Sequence, residues 1–195
     1  MTEDRTTDGQ TLPVTVTVVT DPALAPTIAE VAAITFPLAC PPNSDPANVS
    51  AFIEANLRSP NFVRHIDNPT SDVLVARRGD GPVIGYALVH HGEPADDDVR
   101  TAVTERPVSE VSKMYVLPDH HAYGRADPPS HALMSGALDA ARGHGSVLAW
   151  LGVNEENERA QRFYVKMGFV RAGTKTFSLN GSIEHDLILV HRLTH

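Results

Sequence analysis

In LPVTVTVV, near the start of the chain, Val14, Val16 and Val18 alternate with threonines, the period of two that a half-buried strand imposes. Asp21-Pro22 then reads as a helix cap followed by proline at the first helical position. Ile28, Val31, Ala32 and Phe36 fall on one face of the helix it opens, and Pro37 is expected to stop it. Asp45-Pro46 repeats the signal for a helix with Val49, Phe52, Ile53 and Leu57 on one face, and a short piece at 62–66 closes at Asn68-Pro69. Two strand patterns, DVLVARR and VIGYALVHH, are joined by Gly79-Asp80-Gly81-Pro82, so an antiparallel hairpin is predicted. Residues 93–106 are polar and predict a solvated loop or a short helix. Its Asp96, Asp97 and Asp98 are either ordinary surface acids or an attraction for a polyamine.

Farther on, VSEVSKMYV is a strand, and a helix is predicted over 129–142, ended near Gly143 and Gly145. VLAWLGV, at 147–153, is a continuous apolar run of strand length and suits a strand buried on both faces. Ala160, Phe163, Tyr164 and Met167 then recur at helical spacing, with Gly168 where that helix must end. VRAGTKTFSL and SIEHDLILVHRL flank Asn180-Gly181, a strong hairpin signal. These elements predict an α/β (mixed α+β) fold, a mixed sheet flanked by helices, as a single domain over 12–195 behind a disordered leader at 1–11.

Composition narrows the function. With 195 residues, 42% of them hydrophobic, the chain can bury one sizeable core. Its formal charge of -8, from 24 acidic against 16 basic residues, argues against nucleic acid and favours a cationic small partner. No apolar run approaches the ~20 residues that span a bilayer, and MTEDRTTDGQT is too polar for a signal peptide, so no membrane contact and a cytoplasmic location are expected. The single cysteine, Cys40, excludes an internal disulfide and reads as a small residue near a helix end. Absence of GxSxG and of GxxxxGK[ST] weakens a hydrolase or a nucleotide kinase. His185, between Glu184 and Asp186, alternates faces with its neighbours, so no metal site is expected there. Of the adjacent His90 and His91, at most one should line a pocket.

Two stretches carry the chemistry: EVSKMYVLPDHHAYGRADPPSHALM, at 110–134, and WLGVNEENERAQRFYVKMGF, at 150–169. The pattern ExxKxYVxPxHHxxG, then WLGVxxxNxxAxxFYxxxGF with Trp150, Asn157, Ala160, Phe163, Tyr164 and Gly168, resembles the GNAT superfamily of N-acetyltransferases. TFSLNGSIEHDLIL and Thr35-Phe36 resemble the PaiA-type spermine/spermidine acetyltransferases within it. The resemblance implies the GNAT fold with splayed central strands, acetyl-CoA as co-substrate, no metal, and a primary amine as acceptor, a small amine or polyamine first. It leaves room for a homodimer.

By that resemblance, Glu110 is the base that deprotonates the amine, or else a strand carboxylate in an ordinary ion pair. The backbone at Met114, Tyr115 and Val116 meets the pantetheine arm and the oxyanion. Tyr164 protonates the leaving thiolate, or is a core aromatic, and Asn157 binds pantetheine or caps its helix. The pyrophosphate loop is His121, Ala122, Tyr123, Gly124, Arg125 and Ala126, where backbone N–H groups near a helix N-terminus favour phosphate. Here the loop is about four residues longer than the family pattern, and Asp127-Pro128 also reads as a cap and first helical residue. Either the insertion bulges outward and the loop holds coenzyme A, or the domain is a degenerate GNAT module that binds or interacts without catalysis.

Overall fold

The computed structural model describes residues 12–41, 44–121, 128–179 and 182–194, except the side chains at 177–179 and 182–184. The leader at 1–11 and the Asn180-Gly181 turn lie outside the described residues. Seven strands, β1 (Val14–Val18), β2 (Ser71–Arg78), β3 (Val83–His91), β4 (Val108–Val116), β5 (Leu148–Asn154), β6 (Val170–Leu179) and β7 (Ser182–Arg192), form one sheet in the order β1-β2-β3-β4-β5-β7-β6. Every neighbouring pair is antiparallel except β4 with β5, which is parallel. Helices α1 (Ala25–Ala39), α2 (Pro46–Asn56), α3 (Ser59–Ile66), α4 (Asp97–Ala102), α5 (Pro129–Gly143) and α6 (Glu158–Lys166) cover it.

Alternation along the strands sorts the core into two layers. Leu74, Ala87, Val89 and Val111 pack under α5 with Leu133, Met134, Ala137 and Leu138. Val73, Val75, Tyr86 and Leu88 face the other way, onto Ile28 and Val31 of α1 and Phe62 of α3. Burying side chains of this size stabilises by about 1.5–3 kcal/mol each. A third cluster, Val99 and Val103 against Val108, Trp150 and Ile188, holds α4 against β4, β5 and β7.

Local signals place the helix starts. Asp45 accepts a hydrogen bond from the Ala47 N–H at 2.8 Å, and Asp96 from Asp98 and Val99 at 2.9 and 3.2 Å. The acids at 96–98 therefore open α4, and Asp97 pairs with Arg100. Three expectations need correction. Asp21 caps a 3-10 turn, Pro22–Leu24, and α1 follows it, running through Pro37 to Ala39. A proline in the last turn deletes one helical bond, which is too little to end the helix two residues early. Helix α5 begins at Pro129, where the predicted span of 129–142 puts it, so Pro128 is its N-cap and not the first helical residue that Asp127-Pro128 suggested. A residue that precedes proline avoids the helical region, and Pro128 is extended, at φ -75° and ψ 131°. Last, Pro22–Ala39 is an 18-residue apolar helical stretch of mean hydropathy 1.4, long enough by length and composition to cross a membrane. In this fold one face of it, Ala25, Ile28, Val31, Ala32 and Thr35, is buried against the sheet, while Ile34 and Leu38 are exposed.

Candidate active site

β4 and β5 pair only at Val108–Leu148, Ser109–Ala149 and Glu110–Trp150. Beyond this β4 continues to Val116 and β5 to Asn154 without a further pair, so the two strands part as a V with Glu110 and Trp150 at its apex. The cause lies on the other edge of β4. There Lys113 pairs with Leu88 and Val111 with Val89, which leaves Ser112 as an extra, bulged residue. The bulge bends the strand and shifts its phase. Val111, Met114 and Val116 all pack on the α5 side, while Tyr115 packs on the side of α1 and α3. Glu110 and Lys113, three apart, consequently share the face of Tyr115.

Glu110 borders a cavity of about 320 Å³ with Thr70, His90, Glu93 and Trp150. Burial pushes its pKa up from 4.5, against the pull of Lys175 and Lys113, with a smaller upward push from Asp96. Lys113 in turn is pushed down by burial, and Glu110 opposes that shift. Across the ladder from Glu110 lies His90, whose Nδ1 is 2.9 Å from the Ser71 Oγ. Burial, then the charges of His65, Lys113 and His91, bring His90 down to about 4, so it is neutral at pH 7. The site therefore surrounds a proton-seeking carboxylate with nitrogen groups reluctant to hold charge. Both His90 and His91 border the cavity, which corrects the expectation that at most one would. Their rings do leave opposite faces, His90 toward His65 at 5.2 Å and His91 onto His144 at 3.6 Å. The cavity wraps the strand end, where Gly92 turns the chain at φ 124°.

On β5, Gly152 leaves space that a side chain would fill: a Cβ there would sit 2.9 Å from Lys175 Cε and 3.0 Å from Asp186 Oδ2. Lys175 thereby lies along the sheet with its Nζ 5.9 Å from the Trp150 ring centre. Tyr164 projects from α6, half-buried, with its ring 5.4 Å from Phe163 and 5.9 Å from Phe169. Burial pushes its hydroxyl up to about 12. After burial, its field is the next cause that raises the Tyr115 phenol. Asn157 caps α6 by accepting from the Ala160 N–H at 3.0 Å.

Of the loop at 121–126, His121 is described and Ala122, Tyr123, Gly124, Arg125 and Ala126 lie outside the described residues. His121 Nδ1 is 3.1 Å from an Arg159 guanidinium nitrogen and Nε2 is 2.9 Å from the Val116 carbonyl. Arginine only donates, so Nδ1 accepts, and Nε2 carries the proton and donates to Val116. His121 thus ties the end of β4 to α6 across the mouth of the V.

The model of the Acetyltransferase (GNAT) family matches residues 44–169, the span that holds both arms of the V and α6. This chain belongs to the GNAT family. A protein described as an uncharacterized N-acetyltransferase of Mycobacterium tuberculosis is 43% identical over 166 residues, covering 85% of this chain and 96% of its own. Among solved structures, the PaiA N-acetyltransferase of Thermoplasma acidophilum in complex with coenzyme A shares the fold with a TM-score of 0.65 at 17% identity, over 91% of this chain and 99% of that one. The Salmonella typhimurium protein yncA with its cofactor acetyl-CoA does so with a TM-score of 0.58 at 22% identity, over 93% and 95%. As a GNAT acyltransferase the chain has the fold and family its two motifs imply. Sequence reasoning missed the surroundings of Glu110. Lys113 looks out of phase with it until the bulge is known, Lys175 arrives from β6, and Arg159 of α6 meets His121, 38 residues earlier in the chain. It also missed a meeting of Asp72, His91 and His144.

Proposed function

We propose that this GNAT enzyme transfers the acetyl group of acetyl-CoA to a primary amine, a small amine or polyamine, by direct attack within a ternary complex. The observation that carries this reading is the parting of β4 from β5 beyond Glu110 and Trp150, which frees backbone groups of β4 for an extended ligand. The thioester supplies an activated acyl carbon at the apex. Glu110, directly or through a water, takes a proton from the ammonium, and the amine nitrogen attacks the carbonyl. Backbone N–H groups between Met114 and Val116 hold the oxyanion. As the C–S bond breaks, Tyr164 gives its proton to the thiolate, and the attacking nitrogen sheds its second proton to water, from which the tyrosinate is reprotonated, leaving an N-acetyl amide and free thiol. His121 to Ala126 and Asn157 are assigned to the diphosphate and pantetheine.

A net charge of -8, with Glu93 and Asp96 near Glu110, supports a cationic acceptor. We take residues 12–195 as one domain, since a single sheet includes both the first and the last strand, and we place the enzyme in the cytoplasm as a metal-independent catalyst. Calorimetry with acetyl-CoA tests the reading. Micromolar binding is expected. No detectable heat at high micromolar ligand would overturn it and leave a non-catalytic module. With binding established, thiol release across a panel of amines identifies the acceptor.

A further inference from the structure

On the α5 side of the sheet, away from Glu110, three metal-ligating side chains from three elements meet. The Asp72 Oδ2 of β2 is 3.1 Å from the His91 Nε2 at the end of β3, and 3.4 Å from the Nε2 of His144, the residue that caps the C-terminus of α5. All three donor atoms lie within 4.8 Å of one another. We propose that Asp72, His91 and His144 form a zinc site, with three protein ligands and one open position, that clamps α5 to the closed base of the V.

The donor set is two imidazoles and one carboxylate, a borderline combination that suits Zn²⁺ over harder cations. With metal–ligand bonds of about 2.0–2.1 Å, tetrahedral ligands stand roughly 3.3 Å apart, and both Asp72–His contacts are close to this edge length. A supporting layer is also present. The His91 Nδ1 is 2.7 Å from the Ser109 Oγ, and Ser109 is 2.7 Å from the Ser146 Oγ, both serines being buried. In the metal-free state Nε2–H donates to the Asp72 carboxylate and Nδ1 accepts from the Ser109 hydroxyl. A cation at Nε2 takes the place of that proton, and the ring then donates Nδ1–H to Ser109, the partner that orients it as a ligand. His91 is nearly enclosed, its side chain 7% exposed, so this ligand is fixed. The His91 and His144 rings lie stacked at 3.6 Å and 8°, closer than two ligands of one metal stand. Binding therefore swings His144 outward. Its side chain is 38% exposed at a helix end, and Gly145 follows it at φ 75°, so it is the ring free to move. Swinging it also opens the fourth coordination position to water. Ser109 and Ala149 pair in the last stretch where β4 and β5 stay together, so a cation here braces the point from which they part.

Tag-free full-length protein, stripped with chelator, is titrated with Zn²⁺ by calorimetry and with Co²⁺ by visible absorption. One equivalent of Zn²⁺ should bind at micromolar affinity or tighter, and Co²⁺ should give the intense bands of a four-coordinate N/O site. Asp72→Asn, which keeps size and hydrogen bonding, and His144→Ala, at an exposed position, should each weaken Zn²⁺ by at least ~10-fold with an unchanged apo melting curve. Ser109→Ala should weaken it by about 10-fold at unchanged stoichiometry. Absence of stoichiometric binding, or equal affinity in wild type and both ligand variants, overturns the proposal, the second result placing Zn²⁺ on other histidines.

Discussion

At the residue scale, burial shifts both proposed proton-handling groups upward, which makes Glu110 the stronger base and keeps Tyr164 protonated while lowering its acidity. Burial keeps Tyr164 protonated up to about pH 12, so it can donate to a thiolate throughout the physiological range. Tyr164→Phe retains the ring between Phe163 and Phe169 and removes only the proton. We expect kcat to fall by about 10²-fold or more, with the acetyl-CoA Kd changed less than about threefold. Unchanged turnover would remove Tyr164 as the acid. Glu110 is raised above 4.5, and a base must be deprotonated, so kcat/KM should fall as pH drops through a pKa above the ordinary glutamate value. Glu110→Gln should lower kcat/KM and abolish that limb. Because burial disfavours the charge, the variant should lose no stability at neutral pH, and chemical denaturation checks this. His90 tests the same environment through stability. Its folded pKa is about 4 against 6.5 for a free imidazole, so the unfolded chain takes the proton first as pH falls. Stability is then full above pH 6.5 and is lost from there down toward 4. His90→Asn should flatten this decline, sparing about 1–3 kcal/mol at pH 4 in urea titrations. An unaltered pH profile would show that His90 is not the group responsible.

At the element scale, the strands, the later helices and both hairpins were readable in advance because their signals are local: period two in β1, the Asp-Pro start of α2, the stripe of Ala160, Phe163, Tyr164 and Met167 in α6. The bulge was not. VSEVSKMYV reads as one uninterrupted strand, and nothing in its composition tells that Ser112 will stand outside the ladder, since this is decided by how β3 pairs with it. The phase of every side chain before it depends on that residue, so the site around Glu110 was hidden even though Glu110 itself was not. Deleting Ser112 should restore regular pairing and turn Glu110 to the α5 side, or force the register to slip. Either way acetyl transfer should drop by at least ~100-fold, while far-UV circular dichroism retains its α/β signature. A deletion variant with wild-type activity would show that the bulge does not set the site.

At the scale of the whole molecule, the V divides the sheet. β1 to β4 lie on one side and β5, β7 and β6 on the other, joined at the centre by three residue pairs. Such a junction is weak for a ladder, and His121 with Arg159 adds a hydrogen-bonded tie across its mouth. A ligand that lies along β4 and reaches α6 adds contacts to both sides at once, so its binding energy should appear as global stability rather than as local ordering. At 100 times the measured Kd, acetyl-CoA should stabilise by about 2.7 kcal/mol. For a chain of this length that corresponds to a Tm rise of roughly 5–10 °C. Amide exchange should slow on both sides of the V, in β3 and β4 and equally in β5 and β7. Protection confined to the neighbourhood of residues 121–130, with no rise in Tm, would show that the ligand docks at the loop and helix end without entering the V, and the assignment of its pantetheine arm to Met114–Val116 would fail.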